Sequence, residues 1–397
     1  MADYCDDPDY PDYPDYDDPT TFRGQLQRGR GIAARRAPGE PRAGEAVYEC
    51  VIDDPRWDRQ TESRDTYLAG LVVVLDLPLT PIEEHLAAFD GDEPNDISLL
   101  LGVLARLARD GHADAVGAVR RYLANGKFWD ELLDALVFAE RGPTPAPDVV
   151  DDLVGQALGH RTDDEFRDLI ENGGGSWIRI VVKRHPELLR FFPENTAPGD
   201  RTGRDEHRRW MRTIRDHPRE ELLVQIERKG LAGRSAMEEL GRRGDLTVVD
   251  LVEDLGRRDP TGWIPGASQA LEHLGPAAVP RARLWLSRDD TLAGLGLRVL
   301  AGSGGHTDVP KLMSALRSAF DDDDLWCFAE IPAKGLGRLQ VTEAAPLLHA
   351  AWERTVHSRA RAPFLTALRA CEPRGAQALA QEGLSDCEHT VRSIASG

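Results

Sequence analysis

The feature that most constrains this chain is a recurrence of one helix–turn–helix pattern. VLAGSGGHTDVPKLMSAL at 299–316 reads as a helix end, a Gly-rich turn and a second helix with Pro310 in its first turn. GLGRLQVTEAAPLLHAAW at 335–352 repeats it with Pro346, and QALEHLGPAAVPRARLWL at 269–286 with Pro280. ELGRRGDLTVVDLVEDL at 239–255 has Asp250 where the Pro would stand. Val249, Val279 and Val309 are thirty residues apart, and Ala345 follows after thirty-six. ALRACEPRGAQALAQEGL at 367–384 is a terminal copy, and VLARLARDGHADAVGAVRRYL at 103–123 reads the same way. Pro in a first turn needs no backbone donor and fixes where the second helix starts. No single helix pair can bury its own apolar face, so pairs of this kind stack on one another. The fold expected is all-α, an α-solenoid of helix pairs.

Length leaves two or three domains or one elongated repeat array. A chain of 397 residues, 41% of them hydrophobic, can bury a large core. Its net charge is −19; the first twenty residues carry eight Asp and no Lys or Arg, leaving −11 for the remainder. Such an acidic surface repels nucleic acid and anionic membranes at long range. The five cysteines, Cys5, Cys50, Cys327, Cys371 and Cys387, include no CxxC pair, which argues against a disulfide framework and a structural zinc site. The opening MADYCDDPDY has neither the basic nor the apolar stretch of a signal peptide. The longest apolar run, LAGLVVVL at 68–75, is too short to span a bilayer. A soluble, cytoplasmic protein is expected.

Five regions follow from composition and pattern. Residues 1–20 repeat PDY within a run of Asp and are expected to be a disordered acidic tail. Residues 21–43 form a basic lead-in, with six Arg against one Glu over 22–42. Residues 44–160 carry N-terminal helical repeats, 161–235 an irregular helical region with an Arg-rich helix, and 236–397 the C-terminal repeats. Thr80-Pro81-Ile82-Glu83 and Thr162-Asp163-Asp164-Glu165 are capping boxes that open helices. Asp96 is placed to cap ISLLLGVLARLARDG, and His112 to begin ADAVGAVRRYLANG, closed by Gly126. SWIRIVV at 176–182 is the one strand-like stretch.

The repeated residues resemble the HEAT repeat family, particularly its short bacterial repeats of about thirty residues. The match is good over 236–392, fair at 97–140 and poor at 160–235. The resemblance implies a scaffold that holds a protein along a concave face. Within HEAT-like proteins, alkylpurine DNA glycosylases grip damaged DNA using Trp and Asp side chains beside a basic surface, and others resemble bilin lyases. KFWDELLD at 127–134 offers Trp129, Asp130 and Asp134 in a loosely similar order, which marks them as ligand-facing candidates. The spacing does not carry over a catalytic Asp, and the negative charge departs from what a DNA-binding member needs.

The strongest local signal is GDRTGRDEHRRWMRTIRDHPR at 199–219. At a hundred degrees per residue, Arg204, Arg208, Arg212 and Arg215 share one stripe of a helix, with Trp210, Met211 and Ile214 opposite. Four guanidiniums on one face suit phosphates or the carboxylates of an acidic partner; a solvated face laced with Asp205, Glu206 and Asp216 is the plainer reading. Asp321 to Asp324 fit a helix's first turn better than a cation site. Cys387-Glu388-His389 is no zinc motif without a second cluster. Gly173-Gly174-Gly175 lacks the Lys-Ser/Thr of a phosphate loop. No catalytic constellation, metal set or cofactor motif emerges. The expected function is a non-enzymatic interaction scaffold with a protein partner; the alternative is a DNA-interacting, glycosylase-related protein.

Overall fold

A computed structural model describes residues 16–397, apart from 57, 60, 139–146, 172–176, 183, 192–209, 229, 260–263, 289–290 and 322–327. Every regular element among the described residues is helical, with 23 α-helices, short 3₁₀ turns and no strand. Residues 1–15 of the acidic tail lie outside the described residues. Residues 16–20, read above as part of a disordered tail, are ordered. The Tyr16 hydroxyl donates to the Pro55 carbonyl, and the Arg28 guanidinium lies 4.9 Å from its ring centre. The Asp17 carbonyl accepts from Arg28 at 2.8 Å, and Thr21 caps the next helix through Gly24 N–H at 3.0 Å. The basic lead-in thus supplies partners that the repeated Asp and Pro lack among themselves.

The chain divides into two compact units. The N-terminal unit comprises the described residues within Tyr13–Ala197, Val356–Arg359 and Ala380–Gly397. Its helices begin with α1 (Phe22–Gln27), α2 (Gly31–Arg36), α3 (Ala43–Ile52), α4 (Asp65–Val74) and α5 (Thr80–Ala88). They continue with α6 (Ser98–Arg109), α7 (Ala113–Asn125), α8 (Trp129–Phe138), α9 (Pro147–His160), α10 (Asp163–Glu171) and α11 (Ile178–Val181). The centre is α6. Its SLLLGVLARLAR sequence is apolar nearly all round, and it packs on α4, α7 and α8. Its two arginines are buried but paired: Arg106 with Asp110 at 2.8 Å, Arg109 with the Leu136 carbonyl at 3.0 Å.

The C-terminal unit comprises the described residues within Pro198–Thr355 and Ala360–Leu379. It holds α12 (Arg219–Arg228), α13 (Gly230–Arg242), α14 (Thr247–Arg258), α15 (Ala267–Leu274), α16 (Val279–Trp285), α17 (Thr291–Ser303), α18 (Val309–Asp321), α19 (Glu330–Arg338), α20 (Ala345–Arg354) and α21 (Arg361–Cys371). Alternate helices form a ladder: α13 packs on α15, α15 on α17, α17 on α19 and α19 on α21. The remaining helices pack on rungs of that ladder, α16 on α17, α18 on α19 and α20 on α21. Glycine sets the closeness of the rungs. A Cβ on Gly241 would stand 2.3 Å from the Ala270 carbonyl oxygen, and one on Gly337 2.6 Å from Ala367 Cα.

The repeat register read from sequence agrees with this unit. Val279, Val309 and Ala345 each open a second helix, α16, α18 and α20, and Val249 is the third residue of α14. Gly244, at φ 73°, ends α13: its N–H returns to Gly241 O at 2.9 Å, and Asp245 N–H to Leu240 O at 3.0 Å. Gln340 takes the same place after α19 at φ 52°, where only Gly is free of strain.

Local start signals fared unevenly. Thr162 and Glu165 form the expected reciprocal capping box, with Thr162 N–H donating to Glu165 at 2.7 Å and Glu165 N–H to Thr162 Oγ1 at 3.3 Å. Thr80 does not cap; it lies inside α5, because Leu79 O already accepts Glu83 N–H at 3.0 Å. The Glu83 carboxylate turns to Arg121 instead. Asp96 sits in a 3₁₀ turn before α6 and faces Arg59 at 3.4 Å. His112 and Gly126 flank α7 as expected. The strand-like stretch is helical where described. Trp177, Ile178 and Val181 are buried while Ile180 is exposed, a helical spacing rather than a strand's alternation.

Candidate binding cleft

Between α5, α6 and α7 the N-terminal unit leaves an open cleft of about 490 Å³. Its apolar floor comes from Leu86 of α5, Phe89 just after that helix, Leu104 of α6 and Ala118 of α7, with exposed Ala87 on the wall. Its rim is polar: Glu83, Arg121, Tyr122, Asn125 and Lys127. Helical spacing puts Ala118, Arg121, Tyr122 and Asn125 on one face of α7. Gly126 then turns the chain closely over the Tyr122 ring, since a Cβ there would meet ring atoms at 2.6 Å.

The rim charges are fixed by neighbours. Arg121 Nε donates to Glu83 at 3.0 Å. Lys127 Nζ donates to the Gly91 carbonyl at 2.9 Å and to Asp92, and lies 5.3 Å from the Phe128 ring centre. Its hydrogen bond holds the Asp92 carboxyl below the usual carboxylate range. Burial pushes the Tyr122 phenol up, with Asp130 adding to it.

An aromatic and acidic cluster surrounds the start of α8. Trp129 opens α8 and is buried at 7% exposure, edge-on to Phe166 at 5.2 Å and to Trp177 at 6.5 Å. Phe166 stacks on Phe191 at 4.9 Å. Asp134, one helical turn beyond Asp130, accepts the backbone N–H of Trp177 at 3.0 Å. Burial pushes the Asp130 carboxyl up, and Asp134 adds to the effect. Glu131 is raised by burial and then by Asp130.

Trp129, Asp130 and Asp134 are therefore brought together, but the Trp129 ring is covered, and Asp134 is engaged in holding the backbone of Trp177. Of the Arg stripe, Arg204 and Arg208 lie outside the described residues. Arg212 and Arg215 are exposed, the latter in a 3₁₀ turn, Ile214–Asp216. Trp210 stacks on His217 at 5.6 Å. Beyond Asp321, the aspartates at 322–324 lie outside the described residues, as do Gly173 to Gly175. Cys387 and Glu388 are buried, and no group of three His, Cys, Asp or Glu side chains is placed to hold a metal among the described residues. No helix among them is long and apolar enough to cross a membrane.

Sequence reading missed Arg161. Its guanidinium donates to the carbonyls of Leu123 at 3.0 Å and Gly126 at 3.0 Å, pairs with Glu165 at 3.0 Å, and lies 5.1 Å from the Trp129 ring centre. It ties the end of α7, the start of α8 and the start of α10 together. Arg338 plays the same part in the C-terminal unit, donating to Ala301 O at 2.9 Å and Gly304 O at 2.6 Å. Arg161 directly follows α9 and Arg338 ends α19, but the carbonyls they hold belong to the ends of other helices, α7 and α17, so no local signal marked either.

No family model matches the chain, and no curated protein is significantly similar to it.

Proposed function

We propose that this chain is a HEAT-like, non-enzymatic interaction scaffold whose helix pairs stack as a solenoid and whose α5–α7 cleft takes an apolar side chain of a protein partner. The cleft carries this reading: an apolar floor open to solvent, inside a rim of fixed charges, suits a side chain anchored in the floor and oriented by polar neighbours. The ladder of alternate helices supports the stacking. Arg212 and Arg215, in the C-terminal unit, offer a separate contact for an acidic segment. The reading as a DNA-interacting relative of the alkylpurine glycosylases needs an open aromatic face; the covered Trp129 ring and the charge of −19 both count against it.

Ala87 is exposed on the cleft wall, so Ala87→Arg fills the cleft without touching the core. Affinity capture from native lysate, with and without nuclease, should return a partner that survives nuclease and is lost from Ala87→Arg. Capture that nuclease abolishes, or tight binding of alkylated duplex DNA, would favour the DNA reading instead.

A further inference from the structure

Residues Ala380–Gly397 belong to the N-terminal unit, and polar contacts hold them there. Cys387 alone of this segment joins the unit's apolar core cluster; Ala380 and Val391 are buried outside it, and Leu384 is exposed. The polar contacts are dense. Arg30 donates through Nε and Nη2 to both oxygens of Glu382, at 2.8 and 3.1 Å. Arg64, with no exposed surface, donates to Cys387 Sγ at 3.0 Å and to Glu62 at 3.2 Å, with Glu388 3.9 Å away. Ser358 donates its N–H to Glu62 at 2.8 Å and its hydroxyl to Glu388.

Two glycines let the backbones meet. Gly29, at φ 65°, gives its carbonyl to Cys387 N–H at 3.0 Å, and a Cβ on Gly31 would stand 2.0 Å from the Glu382 carbonyl oxygen. Gly29, Arg30, Gly31 and Arg64 therefore make a slot fitted to an acidic stretch of chain, which Glu382, Asp386 and Glu388 occupy.

A segment held this way is conditionally held. Buried ion pairs give little net stability even when complete, because desolvation offsets their attraction. Little apolar burial stands behind them to offset the ordering of eighteen residues. The slot is also imperfectly filled: Arg64 Nε is buried with no hydrogen-bond partner among the described residues. Segments with few apolar contacts open locally, below the free energy of global unfolding.

We propose that residues 380–397 are a strap that leaves the N-terminal unit as one piece, and that the slot beneath it accepts an acidic segment of another protein in its place. The full chain tests this through two of its own thiols. Cys387 reports on the strap, and Cys50, buried in α3 of the same unit, reports on the unit itself. In graded urea below the unfolding transition, site-resolved alkylation with N-ethylmaleimide should modify Cys387 at least about tenfold faster than Cys50. Equal rates in the unmodified chain would overturn the strap, whatever the variants do. Glu382→Gln with Glu388→Gln should widen the gap and leave Cys50 protected.

A labelled peptide of residues 380–390 carrying Cys387→Ser should then bind that variant saturably, and more tightly than the unmodified chain, where the strap competes. No binding to an opened variant, or equal binding of a scrambled peptide, would overturn the slot. The slot shares no residue with the α5–α7 cleft, so Ala87→Arg should leave both readouts unchanged.

Discussion

Asp134 shows what one acceptor does in a buried site. It holds the N–H of Trp177 from a position forty-three residues earlier in the chain. Asp134→Ala leaves that donor unpaired and should cost about 1–3 kcal/mol in denaturant unfolding, whereas Asp134→Asn keeps an acceptor and should cost much less. An equal cost for both substitutions would mean that the acceptor is not what holds Trp177. Asp130 makes a prediction of the other sign. Burial raises its folded-state pKa, so the native state keeps the proton longer than the unfolded chain does. Stability therefore falls as pH rises from the ordinary carboxylate range through the raised value. Asp130→Asn should be more stable than the parent at pH 7, with the difference shrinking by pH 3. Gln340 is simpler: Gln340→Gly should gain up to about 1 kcal/mol by relieving a left-handed backbone, readable as a rise in Tm.

At the scale of the element, two of the three glycines of α17 carry opposite expectations. A Cβ on Gly294 meets nothing within 4 Å, while one on Gly296 would stand 2.8 Å from the Ala282 carbonyl oxygen and 3.2 Å from Trp285 Cβ. Gly294→Ala should stabilise the chain by about 0.5–1 kcal/mol through helix propensity. Gly296→Ala should destabilise it by about 1–3 kcal/mol, by forcing α16 away. If both stabilise, the close packing of α16 on α17 is wrong. The two positions also show what the chain made legible. Helix ends and second-helix starts were readable from Gly126, Pro280 and Pro310, because turn chemistry is written locally. Which glycine faces a neighbour was not readable, since periodicity cannot say which side of a helix another helix will cover. The cleft was hidden for the same reason: Ala87 and Lys127 are forty residues apart in sequence and meet only through the stacking of helices. Trp129, Asp130 and Asp134 were legible together because they lie within the first two turns of one helix, but their burial depends on Phe166 and Trp177, which no local pattern connects to them.

At the scale of the whole molecule, two compact units on one chain bear on cooperativity. Scanning calorimetry should give a van't Hoff enthalpy below the calorimetric one, as expected when one chain does not melt as a single two-state body. Equality of the two would mean that the units melt together. Disruption of the Arg64 cluster, for example by Arg64→Met, should lower the transition of the N-terminal unit and leave that of the C-terminal unit in place.

The three-part make-up of the N-terminal unit has a further consequence, in the order in which the chain is made. Residue 380 follows residue 197 by about 180 positions, so at 5–20 residues per second it leaves the ribosome roughly 10–40 s later. For that interval α1 to α11 exist without the stretch that pairs with Arg30 and Arg64. The nascent chain must carry two uncovered guanidiniums beside an apolar core through the synthesis of the entire second unit, a window in which a chaperone or a passing acidic chain meets the slot before its own strap does.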